Sequence, residues 1–119
     1  MFEGRPRFAL TELKTRAVFS QVIGQPGVYA LYTRDGEILY VGQSSDLATR
    51  LAQHRRDPSK AAAVAFAFVP ETSLDKRLEL EGIEILRRRP PLNNALLIRV
   101  ARGRLYEIRY RRSSRPRRR

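Results

Sequence analysis

A mixed α/β architecture of the α+β kind, a small three-stranded antiparallel sheet flanked by helices, is predicted by three observations on this 119-residue chain. Two β-prone runs meet across Asp35-Gly36, a strong hairpin signal because glycine takes the positive φ of a tight turn. A third run, residues 62–69, sets Val64, Phe66 and Phe68 against Ala63, Ala65 and Ala67, the alternation of a strand covered on both faces. Longer stretches around these runs carry apolar residues at helical spacing.

In chain order, residues 11–22 place Leu13, Ala17, Val18 and Val22 at helical intervals, with Thr11 as the expected N-cap and Pro26-Gly27 as the stop. Residues 27–33 and 37–42 form the hairpin. With Asp35 and Gly36 as a two-residue loop, Arg34 faces Glu37, Leu31 faces Tyr40, and Tyr29 faces Gly42. Cross-strand partners share a face, so both phenols project from one side, and the glycine opposite Tyr29 leaves room for a ligand. Ser44 or Ser45 caps a helix over residues 45–56, which Asp57-Pro58 stops. Thr72 or Ser73 opens the last long helix, which runs to Arg88 ahead of Pro90-Pro91. Residues 96–100 and 105–110 are expected to pair as a C-terminal hairpin across Arg102-Gly103.

The length suits one domain, residues 1–112, with a modest core. Cysteine is absent and His54 is the only histidine, which excludes a disulfide framework and thiolate metal sites. The longest apolar run, Ala61 to Val69, is too short to span a bilayer, and nothing resembles a signal peptide, so an intracellular, cytoplasmic, nucleoid-associated protein is expected. The net charge of +12 points to a nucleic-acid partner, because Arg supplies 21 of the 24 basic residues and guanidinium groups grip phosphate bidentately. Seven of those arginines fall in residues 109–119, and the stretch 113–119 is expected to be a disordered basic tail. Arg115, Arg117, Arg118 and Arg119 there would clamp phosphate without reading sequence.

Polar residues interrupt both helical stripes. Leu47, Arg50, Leu51 and His54 follow a core-facing register, so the Arg and His flank the leucines at the edge meeting the sheet. Leu74, Leu78, Glu81 and Ile85 define a second stripe, on which Glu81 is an acid among apolar neighbours while Glu79 and Glu84 point away. A buried carboxylate calls for a cationic partner or a metal ion, and a structural ion pair to Arg77 or Arg88 is the rival explanation.

With Tyr29, Tyr40, Arg50 and Glu81 assembled, the chain resembles the GIY-YIG nuclease superfamily over residues 26–94. Gly27-Val28-Tyr29 matches the first signature, and Tyr40-Val41-Gly42 matches the second. The segment Gln43 to Leu51 is similar to the family's helix leading to its arginine, here Arg50, and His54 matches a histidine found in some members. Glu81, followed by Pro90 and Asn93, is similar to the catalytic glutamate and its trailing Pro-x-x-Asn element. Gln43 departs from the pattern, since the related domain of the bacterial excision-repair nuclease carries lysine there; the chain either does without that lysine or uses His54 in its place.

The resemblance implies a metal-dependent DNA endonuclease that leaves 5′-phosphate and 3′-hydroxyl ends. It implies one Mg²⁺ or Mn²⁺ on Glu81, and catalytic roles for Tyr29, Tyr40, Arg50, His54 and Glu81. Tyr29 would orient or deprotonate the attacking water, with nearby cations, protonated His54 among them, favouring its anion. Gln43, Ser44, Arg50, Arg55, Arg56 and Asn93 are expected to contact nucleic acid. DNA is the expected partner, RNA not being excluded, for a monomer or weak homodimer that selects DNA structure in repair or recombination. The competing reading is a catalytically inactive nucleic-acid-binding module.

Overall fold

The computed structural model describes residues 1–93; the expected C-terminal hairpin and the tail arginines lie outside them. Among the described residues, the sheet has four antiparallel strands where three were expected. The strands are β1 (Phe8–Ala9), β2 (Gly27–Tyr32), β3 (Ile38–Ser44) and β4 (Ala65–Pro70), in the order β1-β4-β2-β3. The added β1 is only two residues long, too short to announce itself by alternation, and pairs Phe8 with Phe66. Helices α1 (Arg16–Val22), α2 (Leu47–Arg55) and α3 (Leu74–Arg88) complete the fold.

The central strand β2 is buried at all six positions, and alternation sends its side chains into two cores. Tyr29 and Leu31 join Phe66 and Phe68 beneath Leu47 and Leu51 of α2. Val28, Ala30 and Tyr32 join Val41 and Ala67 beneath Ile85 of α3. The small residues of β4 therefore sit where the sheet meets α3, and its phenylalanines where it meets α2.

The hairpin reaches its register by two compensating irregularities. Gly36 has φ 87, its N–H donates to the Thr33 carbonyl (2.9 Å), and Thr33 N–H donates to Glu37 (2.9 Å). The loop is thus the three residues Arg34 to Gly36, with glycine in the left-handed position, rather than the two-residue loop expected. A bulge at Leu39 then restores the offset, since Tyr32 pairs with Ile38 but Leu31 pairs with Tyr40. Tyr29 faces Gly42 as the sequence predicts.

Helix caps differ in detail. Thr15, not Thr11, caps α1, because Leu10–Lys14 is a 3₁₀ turn. Asp46 caps α2 through the Ala48 N–H, while Ser44 hydroxyl donates to the Asp46 carbonyl. Ser73 caps α3, which ends on Arg89 in the left-handed conformation (φ 45) ahead of Pro90.

Candidate active site

Tyr29 is fully buried, and its hydroxyl lies 2.6 Å from Nε2 of His54, itself 3% exposed. Helix α2 is amphipathic in a way that forces this meeting: Leu47 and Leu51 seat it on the sheet, and His54 follows on the same stripe. The Tyr40 ring, half-buried on β3, closes a triangle with centroids 6.2 Å from Tyr29 and 5.0 Å from His54.

The space opposite Tyr29 is not a vacant ligand niche, as the sequence suggested; the Tyr29 ring fills it. A Cβ on Gly42 would stand 2.5 Å from the Tyr29 oxygen and 2.7 Å from its Cζ. Gly42→Ala is therefore expected to cost about 1–3 kcal/mol and to break the Tyr29–His54 bond, since overpacking a filled core displaces its rigid members. Urea denaturation checks the first effect, and the tyrosine hydroxyl's exchange with solvent by NMR checks the second.

Burial, then Tyr40, pushes the Tyr29 phenol well above the ordinary phenol range; Glu81 adds to the rise and Arg50 draws it back. Partial burial works against the Arg50 charge, but the oxygens of Tyr29 and Tyr40 outweigh it and hold the guanidinium firmly protonated. Arg50 also donates to Gln53 (2.9 Å). His54 is pushed down to about 4, first by burial and then by the charges of Arg50 and Lys60. At neutral pH the pair is therefore a protonated phenol donating to a neutral imidazole. This corrects the expectation that a protonated His54 favours the Tyr29 anion.

The same shift ties His54 to stability. An unfolded chain carries the imidazole near 6.5, so between pH 6.5 and about 4 only the unfolded state binds the extra proton. The contribution is complete above pH 6.5, is lost as pH falls toward 4, and is level below that, a loss of up to about 3 kcal/mol. Urea midpoints at pH 4 to 7 are expected to show this slope in wild type and to lack it in His54→Gln.

Glu81 is 8% exposed, and its charge reaches the Tyr29 phenol. The buried face of α3 is not the stripe expected: Leu74 is 53% exposed, whereas Arg77, Glu81, Glu84 and Ile85 are buried. Glu84, expected to point away, pairs with Arg88 (2.5 Å), which also holds Glu3 (2.7 Å). Arg77 instead donates through Nε to Gln43 (2.9 Å) and through Nη1 to the carbonyls of Glu71 (3.2 Å) and Thr72 (2.9 Å).

Other sequence-selected residues stand apart from this cluster. Asn93 is 1% exposed, and its carboxamide accepts from the Val41 N–H (2.8 Å) and donates to the Val41 carbonyl (2.9 Å). It straps the open edge of β3, and any contact to nucleic acid would compete with those two bonds. Arg55 and Arg56 are exposed at the end of α2, Ser44 is committed to the α2 cap, and Gln43 to Arg77. One cation went unread. Lys60 places Nζ 4.9 Å from the Tyr40 ring centroid and 3.1 Å from Asp57, in a short 3₁₀ turn with no hydrophobic period to mark it. Arg77 was named only as an ion-pair candidate for Glu81, and its bond to Gln43, 34 positions earlier, has no local signal.

Among the described residues, no group of three or more His, Cys, Asp or Glu is placed to cage a metal ion. A site with one buried carboxylate among its described ligands suits a hard ion such as Mg²⁺, which keeps waters and takes phosphate oxygens as ligands, and does not suit zinc.

Residues 25–87 match the family model of the GIY-YIG catalytic domain. The chain belongs to the GIY-YIG family. Its GIY-YIG signatures are the two strands of the hairpin, with Tyr29 on the central strand and Tyr40 on the edge. UvrABC system protein C from one strain of Pseudomonas fluorescens is 38% identical over 85 residues, covering 65% of this chain and 14% of that protein. The protein from a second strain is 35% identical over 91 residues, covering 70% and 15%. The chain thus spans about one seventh of the length of the curated relatives it matches. The magnesium-bound GIY-YIG N-terminal endonuclease domain of UvrC from Thermotoga maritima shares the fold, with a TM-score of 0.54. It is 19% identical and is matched over 66% of this chain and 98% of its own. No helix among the described residues is long and apolar enough to cross a membrane.

Proposed function

We propose that this GIY-YIG domain is a metal-dependent DNA endonuclease that hydrolyses phosphodiesters to 5′-phosphate and 3′-hydroxyl ends and selects DNA structure in repair. The observation that carries the reading is the buried Tyr29–His54 hydrogen bond, with Arg50 and Glu81 bearing on the same phenol. A structural core needs neither a proton relay nor a charged pair around it. The UvrC relatives and the magnesium bound in the Thermotoga domain support the chemistry and the setting.

The attacking water would give its proton to the Tyr29 oxygen while Tyr29 passes its own to His54, so no free phenolate has to form beforehand. A depressed imidazole is a weak acceptor at rest. A phosphodiester entering beside Arg50 and Lys60 offsets the charges that depress it, so substrate itself readies His54. Oxygen from water bonds to phosphorus, the bond to the 3′ oxygen breaks, and that oxygen takes a proton from solvent. Arg50 would brace the charge gathering on the phosphate, and Lys60 would hold Tyr40 and add attraction for the strand. Glu81 would hold one Mg²⁺ or Mn²⁺, which supplies Lewis-acid neutralisation of developing charge. The excess of arginine favours a nucleic-acid partner, and the reading takes it to be DNA, bound by a monomer or weak homodimer in the cytoplasm.

Labelled duplex, flap, branched and single-stranded DNA, with RNA counterparts, incubated with Mg²⁺, Mn²⁺ or EDTA, test the reading. Metal-dependent cuts with ligatable 5′-phosphates are expected. Binding without cleavage on every substrate would support the inactive module instead.

A further inference from the structure

Arg77 is a buried guanidinium, 5% exposed, that nothing in the proposed chemistry uses. Burying a cation is costly, and a chain that keeps one supplies acceptors for it. Here three acceptors come from two places. Gln43 belongs to β3, one residue past the second signature, and Glu71 and Thr72 form the turn between β4 and α3. The planar fork therefore bolts the first turn of α3 to the end of the signature strand. Glu81 stands one helical turn further on, about 6 Å along the axis, so fixing Arg77 fixes the height of that carboxylate against Gly42 and Tyr29.

The pair is also chemically exclusive. Gln43 Oε1 accepts at 2.9 Å; a lysine at that position would press an ammonium against the guanidinium instead. Gln43 and Arg77 are thus a matched set.

We propose that Arg77 is a positioning residue of the site: reaching from α3 to Gln43, it sets Glu81 against the signature strand and supplies there the positive charge a lysine at position 43 would otherwise bring. The inference rests on the endonuclease reading above. It assigns Gln43 to this bond rather than to nucleic-acid contact.

The test uses the full chain with Arg77→Met, Arg77→Lys, Gln43→Lys and the Gln43→Lys/Arg77→Met double variant. Nicking is read against Mg²⁺ concentration, Mn²⁺ binding by calorimetry, DNA binding in EDTA, and folding by thermal melts. Arg77→Met is expected to weaken Mn²⁺ binding and the Mg²⁺ response by about 10- to 100-fold, as the loss of a group that orients a metal ligand does, with DNA binding in EDTA changed far less. Arg77→Lys recovers part of the loss, Gln43→Lys alone is as damaging as Arg77→Met, and the double variant, with a single cation restored, exceeds either single variant.

A folded Arg77→Met that binds Mn²⁺ and nicks like wild type would overturn the proposal while leaving the endonuclease reading intact. So would a folded double variant no better than its parents. Should the singles unfold, the double variant still decides, through recovery or continued loss of both folding and Mn²⁺ binding. A wild-type chain that neither nicks DNA nor binds Mn²⁺ would remove the endonuclease reading and this proposal with it.

Discussion

Replacing Glu81 with alanine is expected to reduce metal-dependent nicking by about 10³-fold or more, the rate equivalent of about 4 kcal/mol of lost charge stabilisation at phosphorus. The side chain is nearly buried on α3, in a site whose other side chains include the cation Arg50 and the phenols Tyr29 and Tyr40. DNA binding in EDTA should persist or tighten, because a negative charge has been removed from a surface that receives phosphate. Filter binding and nicking of supercoiled plasmid measure the two quantities on the same preparation. Cleavage at the wild-type rate would take Glu81 out of the chemistry.

Tyr29→Phe is the second large effect. The ring still fills the space over Gly42, so packing is conserved, but the relay to His54 loses its donor. A loss of about 10²- to 10⁴-fold in the single-turnover rate is expected, the range for removing a positioned proton carrier. The fold should hold, weakened by about 1–3 kcal/mol because His54 Nε2 is left buried without its hydrogen bond. Full activity in a stable Phe variant would show that the hydroxyl only packs. Because Phe cannot titrate, any residual activity should also lose whatever pH dependence the phenol imposed.

The elements that could be read from the chain are those whose signal is local. Tyr29 and Gly42 came out opposite one another because strand period and hairpin spacing are short-range. That register survived a wrong loop length only because the bulge at Leu39 cancelled the error. Such a bulge is set by how β2 and β3 coil together, which no run of residues announces. His54 was legible by helical arithmetic on α2, whereas its neutral state was not, since it depends first on burial in the assembled core, then on Arg50, and then on Lys60 arriving from a separate turn. Glu81 was found on a stripe that proved to be rotated: Leu74 faces solvent, while Arg77 turns inward to donate to Gln43 and Glu84 turns inward to accept from Arg88, which also holds Glu3. Asn93 was picked out as part of a trailing motif, yet its partner is a backbone unit 52 positions earlier. Long-range polar pairing of this kind leaves little imprint on periodicity.

The bond pair between Asn93 and Val41 has a consequence for how the molecule keeps company. A carboxamide that both takes an N–H and offers one to the same residue imitates a single rung of a neighbouring strand. The outer margin of the sheet is therefore sealed at the very residue between the tyrosine and glycine of the second signature. A sister molecule cannot zip onto it there without first prising off the amide, so the rim that carries Tyr40 is protected from self-stacking.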